Sequence, residues 1–132
     1  MPSAYPNVAI DLNNLATLLQ ATNRLGEAEP LMRRAPDIDE ASYGKDHPNV
    51  AIRLNNLAGL LQATNRLGEA EPLMRRMVGI FLAFHRDTGH AHPHRDAAIN
   101  NYAGLLDAMG KSEAEIDATI ESLKREVGPG PT

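Results

Sequence analysis

At 132 residues the chain has the length of one domain, and its formal net charge of -4 argues against a nucleic-acid binder, which would concentrate surplus Lys and Arg on one face. The chain contains no cysteine, which excludes disulfides, thiolate metal sites and cysteine nucleophiles and fits the reducing cytoplasm, where we expect the protein to act. No apolar run approaches the ~20 residues of a membrane helix, so no membrane association is expected.

Internal repetition is the dominant feature of the sequence. Residues 6–35 and 48–77 are identical at 27 of 30 positions, with an offset of 42. The differing pairs are Asp11 and Arg53, Thr17 and Gly59, and Ala35 and Met77. A third, weaker copy occupies residues 99–123. Repeats of this length are typical of solenoids, in which a unit buries its apolar face only by stacking on its neighbours.

The first unit predicts two helices joined by a tight turn. Apolar side chains recur at helical spacing in the first helix and form one stripe, which we expect to face the core. The stripe consists of Val8, Leu12, Leu15, Ala16 and Leu19. Asn and Gly tolerate the left-handed conformation that ends a helix, and the residues expected to adopt it in the three units are Asn23, Asn65 and Gly110. The second helix is predicted from Gly26 or Glu27 to about Tyr43.

The later units follow the same plan, so six helices in an all-α fold are predicted. The second helix of the second unit should run to a His-rich loop, and its apolar run, Met77–Phe84, should pack in the core; a subunit interface is the alternative. The last helix has a narrow apolar stripe and should cap the stack: Ile116, Ile120, Leu123 and Val127. We predict a single domain over residues 1–128, with repeats at about 6–44, 48–89 and 93–127 and a flexible tail at 129–132.

Pro36 lies inside the second predicted helix, where the second unit has Val78. A proline in a helix interior removes one hydrogen bond and costs ~3 kcal/mol or more, so a kink or break is expected near Ala35. The consequence would be a locally weakened helix, or alternatively a hinge or an opening for subunit exchange.

The spacing of the apolar residues resembles the tetratricopeptide repeat. From Leu12 to Leu19 the first stripe has the spacing of the W-x2-L-G-x2-Y signature, and Ala28 and Met32 have its A-x3-F spacing. The period of 42 instead of the usual 34, together with NNLA, EAEPL and the YGKDHPNVA linker, resembles the kinesin light chain branch of that family over roughly residues 5–126. The resemblance implies a right-handed superhelix of about three repeats whose concave surface, lined by the first helices, receives extended peptides.

Within that resemblance, the other face of the first helices would line the groove and present a ladder of side-chain amides to a partner's backbone. The candidate partner-binding residues are Asn14, Asn56, Asn101, Thr17, Ile10 and Ile52, with Asn13, Asn55 and Asn100 at the groove margin. Alternatively, the asparagines bridge adjacent helices or face water. A clamp for a terminal carboxylate is not expected, because Ile10, Ile52 and Ala97 stand where family members that have one carry Lys or Arg.

Histidine supplies the only metal-like signal. Four histidines gather before the third unit: His85, His90, His92 and His94. Their spacing has low specificity, and His92-Pro93 matches the linker residues His47-Pro48, so no metal site and no cofactor is expected. The chain also lacks a nucleophile in a G-x-S-x-G context and a phosphate-binding loop. We therefore predict a non-enzymatic module that binds a peptide or protein segment in its groove; the alternative is a structural protein that assembles into a homo-oligomer through the end faces of its repeats.

Overall fold

A computed structural model describes residues 6–128 of the chain. Its helices are α1 Pro6–Ala21, α2 Leu25–Tyr43, α3 Pro48–Ala63, α4 Leu67–Thr88, α5 Arg95–Ala108 and α6 Glu113–Val127. α1 packs on α2 and α3 on α4, while α2 also packs on α3 and α4 on α5. The six-helix, all-α prediction is confirmed, and within residues 6–128 there is no strand. The predicted tail at residues 129–132 lies outside the described residues.

The turn inside each hairpin has the conformation predicted for it. Asn23, Asn65 and Gly110 have positive φ angles of 61°, 58° and 87°. The left-handed residue lets the chain reverse, so that the amide of Arg24 donates to the Leu19 carbonyl at 2.7 Å. The equivalent bond of the second unit, from Arg66 to Leu61, has the same length.

The core is continuous through the second unit, which lies between the other two. Its signature positions are all buried: Leu54, Leu57, Ala58, Leu61, Ala70 and Met74. The run Met77–Phe84 contributes five buried side chains to α4, which confirms core packing for that segment. In α6, Ile120 and Leu123 are buried and Ile116 and Val127 pack against the core, as the predicted stripe requires.

The placement of Leu15 in the core stripe was wrong. Leu15 is 47% exposed, whereas Leu57, its equivalent in the second unit, is 3% exposed. The helix is the same in both units, but α2 packs against α3 and no described helix occupies the corresponding place beside α1. The burial of this residue therefore depends on a preceding repeat.

Of the kink or break predicted near Ala35, the break was wrong, because α2 continues through Pro36 to Tyr43. The Pro36 ring is buried, which offsets part of the lost hydrogen bond. Side chains of α3 and α4 stabilise the part of α2 beyond Pro36. Arg53 donates to the Asp39 carboxylate at 3.0 Å, and Arg76 donates to the Glu40 carboxylate at 3.2 Å.

A capping box that the sequence analysis missed fixes the start of α6. The Ser112 hydroxyl accepts from the amide of Glu115 at 3.1 Å, and the Glu115 carboxylate accepts from the amide of Ser112 at 3.0 Å. The S-x-x-E spacing is visible in the sequence and places Ser112 immediately before the first residue of this helix.

Candidate functional site

Asparagine amides join the first helices of successive repeats. Asn56 of α3 donates its amide hydrogen to the side-chain oxygen of Asn13 on α1 at 2.8 Å. Asn101 of α5 donates in the same way to Asn55 of α3 at 3.2 Å. In the middle pair, Asn55 accepts from the following repeat and Asn56 donates to the preceding one. Bridging between helices, the alternative considered for these residues, is therefore found for four of the six.

The bridges leave part of the bonding capacity of the amides unused. Asn55 keeps both of its amide hydrogens, and Asn101 keeps its carbonyl oxygen and one hydrogen. Asn14 and Asn100 are exposed at the two ends of the ladder and have no side-chain hydrogen bond to any residue from 6 to 128. A donor and an acceptor thus remain side by side at the α3–α5 bridge.

An apolar cavity of about 190 Å³ lies beside that bridge, between α3, α4 and α5. Its walls are Ala51, Ile52, Asn55, Met77, Phe81, His94, Ala97, Ala98 and Asn101. Small side chains on α5 create this space: Ala97 and Ala98 stand where α3 has the larger Ile52 and Arg53. The cavity could hold an aliphatic or small aromatic side chain of a partner.

A second, more polar cavity of about 450 Å³ adjoins the first and shares Asn55 and Asn101 with it. Its remaining walls are Gly59, Gln62, Met74, Asn100 and Gly104. A Cβ atom built on either glycine would meet no atom within 4 Å, so both positions face open space. The two cavities form one groove between α3 and α5, apolar at one end and polar at the other, with the Asn55–Asn101 bridge between them.

The residues lining this groove in the described chain include no Lys, Arg, Asp or Glu. The only titratable member is His94. It stands next to His92, whose ring packs on Phe81 and Phe84 with centroids 4.8 Å and 5.1 Å away. Burial, and then the neighbouring His94, lower the pKa of His92 below its ordinary value. The neutral His92 ring can then accept the hydrogen bond from the amide of His94 at 3.1 Å.

Tyr102 fixes α5 against α4 below the groove. Its side chain is fully buried, its hydroxyl donates to the Glu71 carboxylate at 2.6 Å, and it accepts from Arg75 at 3.4 Å. Burial and the hydrogen bond to Glu71 raise the pKa of Tyr102. The tyrosine replaces Leu57 of the second unit and adds a polar connection at this junction.

The sequence of the chain matches the model of one protein family. The model of the tetratricopeptide repeat matches residues 7–83. The chain belongs to the tetratricopeptide-repeat family. The match covers the first two repeats, and α5 and α6 add a third hairpin outside it. No curated protein matches the chain. Tetratricopeptide repeats generally mediate protein–protein interaction.

The tetratricopeptide groove contains some of the residues that the sequence nominated. Ile52, Asn55, Asn100 and Asn101 line it, whereas Asn56 and Asn13 are paired at the α1–α3 junction. Three nominated residues, Ile10, Asn14 and Thr17, lie on the exposed surface of α1 and line neither cavity. The α4 residues Met77 and Phe81 were not nominated; their signal was the apolar run Met77–Phe84.

The described residues offer neither a metal cluster nor a membrane-spanning helix. Over residues 6–128, no group of three or more His, Cys, Asp or Glu side chains is arranged to hold a metal ion. Within the same segment no helix combines the length and the apolarity needed to cross a membrane.

Proposed function

We propose that the protein is a non-enzymatic interaction module that binds an extended, uncharged segment of a partner protein in the groove between α3 and α5. The observation that carries this proposal is the free donor and acceptor of the Asn55–Asn101 bridge, placed between an apolar and a polar cavity. An extended peptide alternates backbone polar groups with side chains, so one peptide unit can bond the bridge while the next side chain enters a cavity.

The chemistry of the two cavities defines the segment further. The walls formed by Ile52, Met77 and Phe81 favour an apolar anchor residue in the first cavity. Gly59 and Gly104 leave room for a partner backbone to approach the second. Because the groove has no Lys, Arg, Asp or Glu in its walls, a charged anchor would lose hydration without gaining a partner charge.

The proposal also includes the branch of the family to which the chain belongs and the cellular compartment in which it acts. The 42-residue period and the repeated NNLA and EAEPL segments support membership of the kinesin light chain branch of the tetratricopeptide family. A chain without cysteine supports action in the reducing cytoplasm.

The test is selection of peptides from a random library on the wild-type chain, followed by calorimetric titration of the selected peptides. The groove variant combines Asn55→Ala with Ala97→Leu, which removes the acceptor of the bridge and fills the apolar cavity. The control variant combines Asn13→Ala with Ile10→Leu at the equivalent positions of α1. Circular dichroism and thermal unfolding establish that both variants remain folded.

We expect the groove variant to lose at least about tenfold in affinity and the control to stay within about twofold of wild type. Selected peptides should share an apolar residue flanked by uncharged ones. If both variants bind the selected peptides as tightly as wild type does, the groove is not the binding site.

Assembly of the chain into a homo-oligomer through its end faces has less support. Glu71 and Arg75 of α4 contact α5, and the residues at the equivalent places of α6 are Asp117 and Glu121, both exposed. Stacking α1 of a second copy on this surface would bury two acids against leucines. Sedimentation velocity over a range of concentrations decides this alternative.

A further inference from the structure

The outward surface of α1 differs sharply from the same surface of α3, although the two helices are nearly identical in sequence. We call this surface the α1 outer face: Asn7, Asp11, Leu15, Leu18 and Thr22. All five residues are exposed, and Leu18 reaches 61%. On α3 the equivalents, from Asn49 to Thr64, are all buried or half-buried, and Leu60 is 1% exposed.

The α2–α3 contact shows which kind of element covers such a face. On α3 the cover is a helix of the preceding repeat, α2, packed with its buried side against Leu57 and Leu60. The contact contains one ion pair, between Arg53 and the Asp39 carboxylate at 3.0 Å. Asp39 is only 1% exposed, so this pair is part of the covered surface.

The α1 outer face has the opposite charge at the position of that pair. Asp11 stands where α3 has Arg53, and it is one of only three differences between residues 6–35 and residues 48–77. A covering helix with an acid at the place of Asp39 would be repelled by Asp11, whereas one with Lys or Arg there would pair with it. Asp11 therefore favours a basic residue at this place in a covering helix.

We propose that the α1 outer face binds an amphipathic helix of another protein that carries a Lys or Arg opposite Asp11 and an apolar stripe over Leu15 and Leu18. A second copy of this chain does not meet the requirement through α1 itself, because α1 contains no basic residue. Its α6 end carries Lys124 and Arg125 in the last turn, but the exposed acids Asp117 and Glu121 lie in the two turns before them. The α1 outer face is separate from the α3–α5 groove, so a negative result at one surface does not affect the proposal for the other.

The chain supplies a matched pair of probes for the test. Both are synthetic peptides of the α2 sequence, Leu25–Tyr43, with Pro30→Ala and Pro36→Ala to favour the helix in isolation. One peptide keeps Asp39 and the other carries Asp39→Lys. Fluorescence anisotropy measures the binding of each labelled peptide to the full chain and to its Asp11→Arg variant, which restores the residue found on α3.

We expect the Asp39→Lys peptide to bind wild type at least about tenfold more tightly than the Asp39 peptide, and the Asp11→Arg variant to reverse this preference. The reversal excludes a general attraction of the Lys peptide to an acidic protein. A Leu15→Asn, Leu18→Asn variant should bind neither peptide; both leucines are exposed, so the variant keeps the core intact. Circular dichroism checks its fold.

Three results would overturn the proposal. The first is equal binding of the two peptides by the wild-type chain, and the second is binding that the two leucine substitutions leave unchanged. The third is a dimer of the wild-type chain in sedimentation equilibrium that Leu18→Asn abolishes, which would assign the α1 outer face to a second copy.

Discussion

The ion pair between Arg53 and Asp39 gives the most specific energetic prediction. Asp39 is 1% exposed, and Arg53 is the only ion-pair partner of its carboxylate within residues 6–128. Arg53→Met removes that partner and leaves a buried carboxylate uncompensated, which should lower the free energy of unfolding by about 3–5 kcal/mol. Asp39→Leu leaves Arg53, whose side chain is 14% exposed and can reach water, so its cost should be smaller, about 1–3 kcal/mol.

The double variant is the decisive member of this series. Replacing both residues, Asp39→Leu with Arg53→Met, should restore the stability to within about 1 kcal/mol of wild type, because no buried charge remains. The chain already contains an apolar version at the next junction, where Phe81 and Ala98 occupy the equivalent positions and both are buried. Urea unfolding followed by circular dichroism measures all four proteins. A cost below about 1 kcal/mol for Arg53→Met would refute the reasoning, because it would mean that the carboxylate does not depend on its partner.

Three further predictions concern the groove and its supports. Tyr102→Phe should lower the free energy of unfolding by about 1.5–3 kcal/mol, because it removes a buried hydrogen bond to the Glu71 carboxylate; urea unfolding measures the loss. Folding lowers the pKa of His92 below 6.5, so the unfolded chain takes up the proton first as the pH falls. The stability contributed by neutral His92 should therefore be full above about pH 7 and should decrease as the pH drops through 6.5. His92→Asn keeps a hydrogen-bond acceptor and should make the melting temperature less dependent on pH over this window. Gly59→Ala with Gly104→Ala should raise the free energy of unfolding by about 0.5–1 kcal/mol per site, because alanine is the better helix former and its Cβ meets open space at both positions. The added methyl groups should still weaken peptide binding, so calorimetry can distinguish a blocked groove from an unfolded protein.

The sequence predicted those features of the fold that depend on one hairpin alone. The left-handed turns at Asn23 and Asn65 and the end of α2 at Tyr43 follow from local residues, and local residues determine them in the structure. The exposure of Leu15 could not be predicted from its own unit, because burial in a stack comes from the neighbouring repeat. The continuity of α2 through Pro36 has the same origin, since its stabilising contacts come from α3 and α4.

The candidate site was less accessible to sequence reasoning. The helix periodicity placed Ile52 and Asn101 on the side that faces the groove. Predicting the groove itself would have required the sizes of side chains on three helices to be compared at once. The apolar cavity exists because α5 carries Ala97 and Ala98 opposite the large side chains of α4. The bonding pattern of the asparagines depends on which helix each amide faces, and adjacent asparagines differ in this respect by about 100° of helix rotation.

The three differences between residues 6–35 and residues 48–77 lie where the chain forms its candidate binding surfaces. The 27 shared positions build the hairpin in both units. Of the three that differ, Gly59 lines the polar cavity and Met77 the apolar one, whereas Arg53 forms the ion pair that Asp11 cannot make. The first repeat has Thr17 and Ala35 at the two cavity positions and so lacks the residues that shape the groove. The shared residues thus build a hairpin that can be repeated, whereas Gly59 and Met77 contribute to the groove at the second junction and Asp11 gives a negative charge to the uncovered face of the first repeat.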